Sequence, residues 1–81
     1  MAKEHLSALI IDLRQRLGIS QEKLAAQLGV SFQTINRWEN QRVKPSAMAE
    51  QLIKQRLSQM GEQGKELLDK YYSESSSSSN L

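Results

Sequence analysis

Four residues between positions 32 and 37, namely Phe32, Gln33, Asn36 and Arg37, have side chains that can read the edge of a DNA base pair. A Gln or Asn amide sets a donor beside an acceptor and can make paired hydrogen bonds to adenine. An Arg guanidinium can do the same for guanine, and a Phe ring can lie against a thymine methyl. Spacings of three and four put Gln33, Asn36 and Arg37 on one face of a helix, opposite Ile35 and Trp38. The bland alternative is a polar face that merely meets water. For Asn36 both readings stay open. Phe32 can equally pack as a cap over the start of its helix.

A second group suits phosphate. Gln21 opens a helix, where free backbone N–H groups and the helix dipole favour an anion. Ser31 can cap its own helix, contact phosphate, or do both. Asn40, Arg42 and Lys44 would sit at the far end of the base-reading helix, either as phosphate contacts or as an ordinary polar loop. The charge is distributed in the same sense. Residues 1–60 hold nine Lys/Arg against five Asp/Glu, and residues 61–81 hold two against four. The basic part thus coincides with the part that has a core to bury.

Other chemistry is poorly served. The chain has no cysteine, so disulfides, thiol nucleophiles and cysteine metal sites are excluded. His5 is the sole histidine and lies near the N-terminus. No phosphate-cradling glycine loop or metal-ligand cluster is present, and neither an enzyme nor a cofactor is expected. Tyr71 and Tyr72 could stack on a base, but packing of one and exposure of the other is the simpler reading. Glu39 should bond within the core or pair with a nearby Arg. No apolar run approaches the ~18 residues of a membrane span, and the N-terminal stretch lacks a secretory core. The expectation is a soluble, cytoplasmic protein.

These residues need helices to position them, and the composition is helical: Leu, Ala, Gln, Glu, Lys and Arg abound, while aromatic and β-branched residues are few. Leu6, Leu9, Ile10, Leu13 and Leu17 mark a first helix over about Lys3–Arg16, stopped by Gly18. Ser20 caps a second helix with Leu24, Ala25 and Leu28 inward, ended by Gly29. Ser31 caps a third, Phe32–Glu39, with Ile35 and Trp38 buried between it and the first and fourth helices. Past the loop Arg42-Val43-Lys44 and Pro45, a fourth helix should run from about Ser46 to Met60 with Met48, Leu52, Ile53 and Leu57 apolar. Gly61 and Gly64 should interrupt it. A short last helix, Glu66–Tyr72, would turn Leu67, Leu68 and Tyr71 inward. Ser73–Asn80 cannot bury apolar surface, so 73–81 is read as a disordered serine-rich tail behind a domain at 1–72. The fold class is all-α, a compact bundle of four or five helices. Its informative unit is two short helices joined by the turn Gly29-Val30-Ser31, a helix-turn-helix.

The run Leu17-Gly-Ile-Ser-Gln-Glu-Lys-Leu-Ala-Ala-Gln-Leu-Gly-Val-Ser, followed by Thr34-Ile-Asn-Arg-Trp-Glu-Asn and Pro45-Ser, resembles the Xre family, the helix-turn-helix type of lambdoid phage repressors and Cro. The resemblance covers about residues 6–60. It implies a lambda-repressor-like helical fold, sequence-specific duplex binding, a DNA-backbone contact at Gln21, a structural Glu39, and often a homodimer on a two-fold operator. Two departures stand out. The family commonly has Gly after Glu-Asn, where this chain has Gln41. The segment after Pro45 reads as one longer helix, so the family's dimer surface does not carry over. A dimer contact is placed instead on the C-terminal helices, at Leu67, Leu68, Tyr71 and Tyr72, with closure of the core by these same residues as the equal alternative. A transcriptional regulator that binds double-stranded DNA is the leading expectation. A protein–protein adaptor on the same fold, coactivator- or antitoxin-like, is the runner-up. No small-molecule ligand is suggested.

Overall fold

In a computed structural model, residues 1–79 are described, with side chains described through residue 72. Five helices follow in order: α1 (Lys3–Leu17), α2 (Gln21–Leu28), α3 (Phe32–Glu39), α4 (Ala47–Ser58) and α5 (Glu62–Ser79). No strand occurs among the described residues, so the all-α expectation holds.

The helix starts follow from their caps. The side chains of Ser20, Ser31 and Ser46 accept hydrogen bonds from the backbone N–H of Lys23, Thr34 and Ala49, each at 3.1 Å. Each serine thereby satisfies one of the N–H groups a helix start leaves without a partner. The stops are equally local. At Gly29 the backbone turns left-handed with φ +76°, and the N–H groups of Gly29 and Val30 both return to the Ala25 carbonyl. Glycine takes that conformation at no steric cost.

The core is one cluster. Leu6, Leu9, Ile10 and Leu13 of α1 form its spine, and Leu24, Ala25 and Leu28 of α2, Ile35 and Trp38 of α3, Ile53 and Leu57 of α4, and Leu67 and Tyr71 of α5 close around it. α3 packs on α1 and α2, while α5 packs on α4 and α1. Trp38 is buried, as its spacing from Ile35 requires. Toward the fourth helix it joins the same core cluster as Ile53 and Leu57. On that side lies an open groove of about 420 Å³, lined by Val30, Thr34 and Trp38 and by Met48, Ala49 and Leu52 of α4.

The C-terminal half departs from the sequence expectation in three ways. Met48 is not apolar filling but is 72% exposed. It lies nine residues before Leu57, about two and a half helical turns, and so faces the opposite side. Second, α4 stops at Ser58, short of Met60, while Gly61, at φ +73°, breaks the helical run as expected and turns the chain into α5. Third, Gly64 does not interrupt a helix but lies buried inside α5, which begins at Glu62 rather than Glu66. A Cβ on Gly64 would overlap the Leu57 carbonyl oxygen and come within 2.9 Å of the Met60 Cβ. Its bare backbone is what lets α5 cross α4 this closely. Past Tyr72 the backbone of α5 stays helical to Ser79, since neither Gly nor Pro follows to break it. The serine side chains of the expected tail, and residues 80–81 altogether, lie outside the described residues.

Candidate nucleic-acid interface

α2 and α3 meet across the turn Gly29-Val30-Ser31, with Ala25 at the close approach and Leu24, Leu28 and Ile35 locked beneath. With Ile35 and Trp38 buried, the rest of α3 is turned outward by geometry alone. Gln33 and Arg37 are exposed, and neither side chain has a partner among the described residues. Phe32, 46% exposed, borders a shallow hollow with Arg14, Ser20, Gln21 and Glu22. It therefore lies over the start of α2 while keeping one side open.

Asn36 is placed differently from Gln33 and Arg37. It is half-buried, and its amide Nδ2 donates to Gln21 Oε1 at 3.4 Å. Gln21, the first residue of α2, in turn donates from Nε2 to Glu39 Oε1 at 2.9 Å. Asn40 leans back along the helix and donates from Nδ2 to the Asn36 carbonyl oxygen at 2.8 Å and to Asn36 Oδ1 at 3.1 Å. The base-reading and phosphate groups expected from sequence are thus joined here. Asn40 is tied to Asn36 rather than standing free in the loop.

Glu39 anchors this set. Its carboxylate receives Arg14 through two bonds, Nε to Oε2 at 2.6 Å and Nη2 to Oε1 at 3.1 Å. Such a fork is stronger than a single contact and orients both partners. The hydrogen bond to Glu39 raises the Arg14 pKa above its ordinary value. Arg14 also donates to the Ile19 carbonyl at 3.2 Å, and Ser7 donates to the Glu39 carbonyl at 2.7 Å. Glu39 was expected to pair with an Arg or bond in the core, and it does. Sequence reasoning missed Arg14 and Ser7. Both lie on α1, 25 and 32 positions from Glu39, and no local spacing rule links them to α3.

The end of α3 is closed by an unusual residue. The N–H of Gln41 bonds to the Trp38 carbonyl and that of Arg42 to the Arg37 carbonyl, at 3.2 and 3.0 Å. This is a Schellman closure, in which the left-handed position is normally glycine. Gln41 occupies it at φ +59°, the one non-glycine residue with positive φ among those described. The closure carries Arg42 and Lys44 out of α3 as exposed cations with no partner among the described residues. At the other end Ser31 Oγ lies 2.9 Å from Thr34 Oγ1. Ser31 is therefore a cap first. If Thr34 is the donor in that pair, the Ser31 hydroxyl hydrogen is left for another acceptor.

Little else offers chemistry. No group of His, Cys, Asp and Glu able to hold a metal occurs among the described residues. No helix among them is long and apolar enough to cross a membrane. A search of curated proteins finds no match for the chain, and neither does a search of solved structures. A family model, described as helix-turn-helix, matches residues 10–49, from the middle of α1 to the first turn of α4. That span holds the capped pair α2–α3, the Gly29 turn and the Arg14–Glu39 brace. Over residues 10–49 the chain is similar to helix-turn-helix domains of the Xre, lambda-repressor type.

Proposed function

We propose that this protein is a transcriptional regulator that binds double-stranded DNA at specific sequences, laying α3 in the major groove and working in the cytoplasm. The observation that carries this reading is the pair Gln33 and Arg37, outward and unpartnered on a helix whose other face is core, with exposed Arg42 and Lys44 at its end. Arg37 would donate twice to guanine and Gln33 would pair with adenine, with Phe32 against a thymine methyl. Arg42, Lys44, the remaining N–H of Gln21 and the start of α2 would hold phosphates, with Ser31 beside them. Asn40, expected among the phosphate contacts, acts instead as a brace on Asn36, because its amide donors are already engaged there.

One helix of eight residues reads few base pairs, so two copies on a two-fold site are proposed. Of the four residues expected at the face between them, two are withdrawn from it. Leu67 and Tyr71 are buried in their own core. Leu68 and Tyr72 pack partly against it, which leaves only their outer edges for a neighbour.

The test is selection of bound duplexes from random DNA, followed by affinity against salt and sedimentation on the selected duplex. A shared motif and an affinity falling steeply with salt are expected, with a log–log slope near −0.9 per phosphate contacted. Absence of binding at low salt would overturn the proposal in favour of the adaptor. A strict one-to-one complex on a palindromic site would overturn the dimer alone.

A further inference from the structure

The hydrogen bonds around Glu39 run in one direction only, and chemistry fixes that direction. A carboxylate clamped by Arg14 can only accept. Gln21 must therefore turn its NH2 toward Glu39, which leaves its Oε1 facing Asn36. Asn36 must then turn its own NH2 toward Gln21, so that its Oδ1 faces the NH2 of Asn40. The donors run Asn40 to Asn36 to Gln21 to Glu39. Gln21 and Asn36 each keep one N–H outside the relay, while the side-chain oxygen of Asn36 is engaged by Asn40.

Building on the DNA-binding reading above, we infer that Glu39 is a positioning residue that sets the direction of this amide relay, so that Asn36 meets DNA as a single hydrogen-bond donor. A free Asn reads adenine through a donor and an acceptor together. Asn36 in the relay reads one acceptor atom, a purine N7, guanine O6 or thymine O4. The same direction turns an N–H of Gln21 toward phosphate, which only accepts. Reversing the relay would aim a carbonyl oxygen of Gln21 at phosphate, where it would repel.

The experiment uses the full chain and the duplex it selects from random DNA. Base preference is measured position by position for Asn36→Ala, Gln21→Ala and Glu39→Gln, and each purine is replaced in turn by its 7-deaza analogue. Asn36→Ala should relax preference at one base pair. Gln21→Ala and Glu39→Gln should relax the same base pair, beyond weakening binding overall by about tenfold, the scale of one lost hydrogen bond to a charged group. The base pair read by Arg37 should keep its preference. An equal loss on all sequences for Gln21→Ala would make it a phosphate contact alone and overturn the relay, as would an unchanged preference in Asn36→Ala. Should Glu39→Gln fail to fold, Gln21→Ala decides by itself, since its side chain is only half-buried and carries no charge of its own. A wild-type chain that selects no duplex overturns the DNA-binding reading, and this inference with it. A wild-type chain that binds while the variants keep their preference overturns the relay alone.

Discussion

Arg37 and Lys44 are both exposed cations without partners among the described residues, yet substitution should separate them. Arg37→Ala should weaken binding to the preferred duplex by about 1–3 kcal/mol and flatten preference at one base pair. Lys44→Ala should weaken all duplexes alike and make the salt slope shallower by about one. Affinity titrations on preferred and scrambled duplexes at several salt concentrations check both, and equal loss of Arg37→Ala on every sequence would move it to the phosphate class. Gln41 offers a test of backbone cost. At φ +59° a side chain crowds the adjoining backbone. Gln41→Gly should therefore raise stability by about 1 kcal/mol in denaturant unfolding, the glycine's extra freedom when unfolded offsetting part of the relief. Which residues face outward from α3 was legible in advance, because Ile35 and Trp38 define the buried side and the remainder follows from helical period. What those residues bond to was not. The Asn36–Gln21 contact depends on the angle between two helices, and the Arg14–Glu39 fork on a third.

Among the elements, α2 and α3 were readable nearly to the residue, for a local reason: serine caps, a left-handed glycine and an apolar stripe all act within one turn of the chain. α4 and α5 were less so. Sequence alone marks Gly64 as a breaker because glycine is a poor helix former, a rule that speaks of single helices. Its position is set by the crossing of two. Gly64→Ala is favoured by intrinsic propensity, and it should still destabilise the protein, by about 1–3 kcal/mol or more, since the new methyl meets backbone rather than a yielding side chain. Thermal unfolding decides the matter, and a more stable Gly64→Ala would mean that α5 can lift from α4 without loss. By contrast, a glycine-to-alanine change at an exposed helical site should stabilise by a few tenths to about 1 kcal/mol.

Over the whole molecule, α5 is joined to α1 by charge as well as by Leu67 and Tyr71. Asp12 accepts from Arg16 at 3.0 Å, from Lys70 at 3.2 Å and from the Tyr71 hydroxyl at 3.3 Å, while Arg16 also bonds to Glu66 at 2.6 Å. Partial burial pushes the Asp12 pKa up, but the hydrogen bonds and charges of Arg16 and Lys70 outweigh it and hold the carboxyl below its ordinary 3.8. A depressed carboxyl stabilises the fold above the unfolded value and loses that contribution as pH falls through the folded one. Stability should therefore decline as pH drops below about 4, the ordinary carboxylate range. Asp12→Asn should be less stable than the parent at pH 7, with the difference narrowing in acid. Melting temperatures from pH 7 to 2 check this, and a constant difference across that range would assign the loss to packing. Only the Asp12–Arg16 pair, four positions apart on α1, follows a local spacing rule; the rest of the clamp joins positions up to 59 apart, which no such rule links.

That the side chains of Gln33 and Arg37 have no partner among the described residues has one more consequence. Neither side chain helps to hold the protein together, so either can be exchanged without disturbing the fold. With α3 reading DNA as proposed, a lineage carrying this domain could acquire a new target through changes at these two positions, one at a time, with the fold kept at each step. Asn36 has no such liberty, because a new residue there must suit Gln21 and Asn40 as well. Related proteins with diverged targets should therefore differ first at 33 and 37, and at 36 only together with 21 and 40.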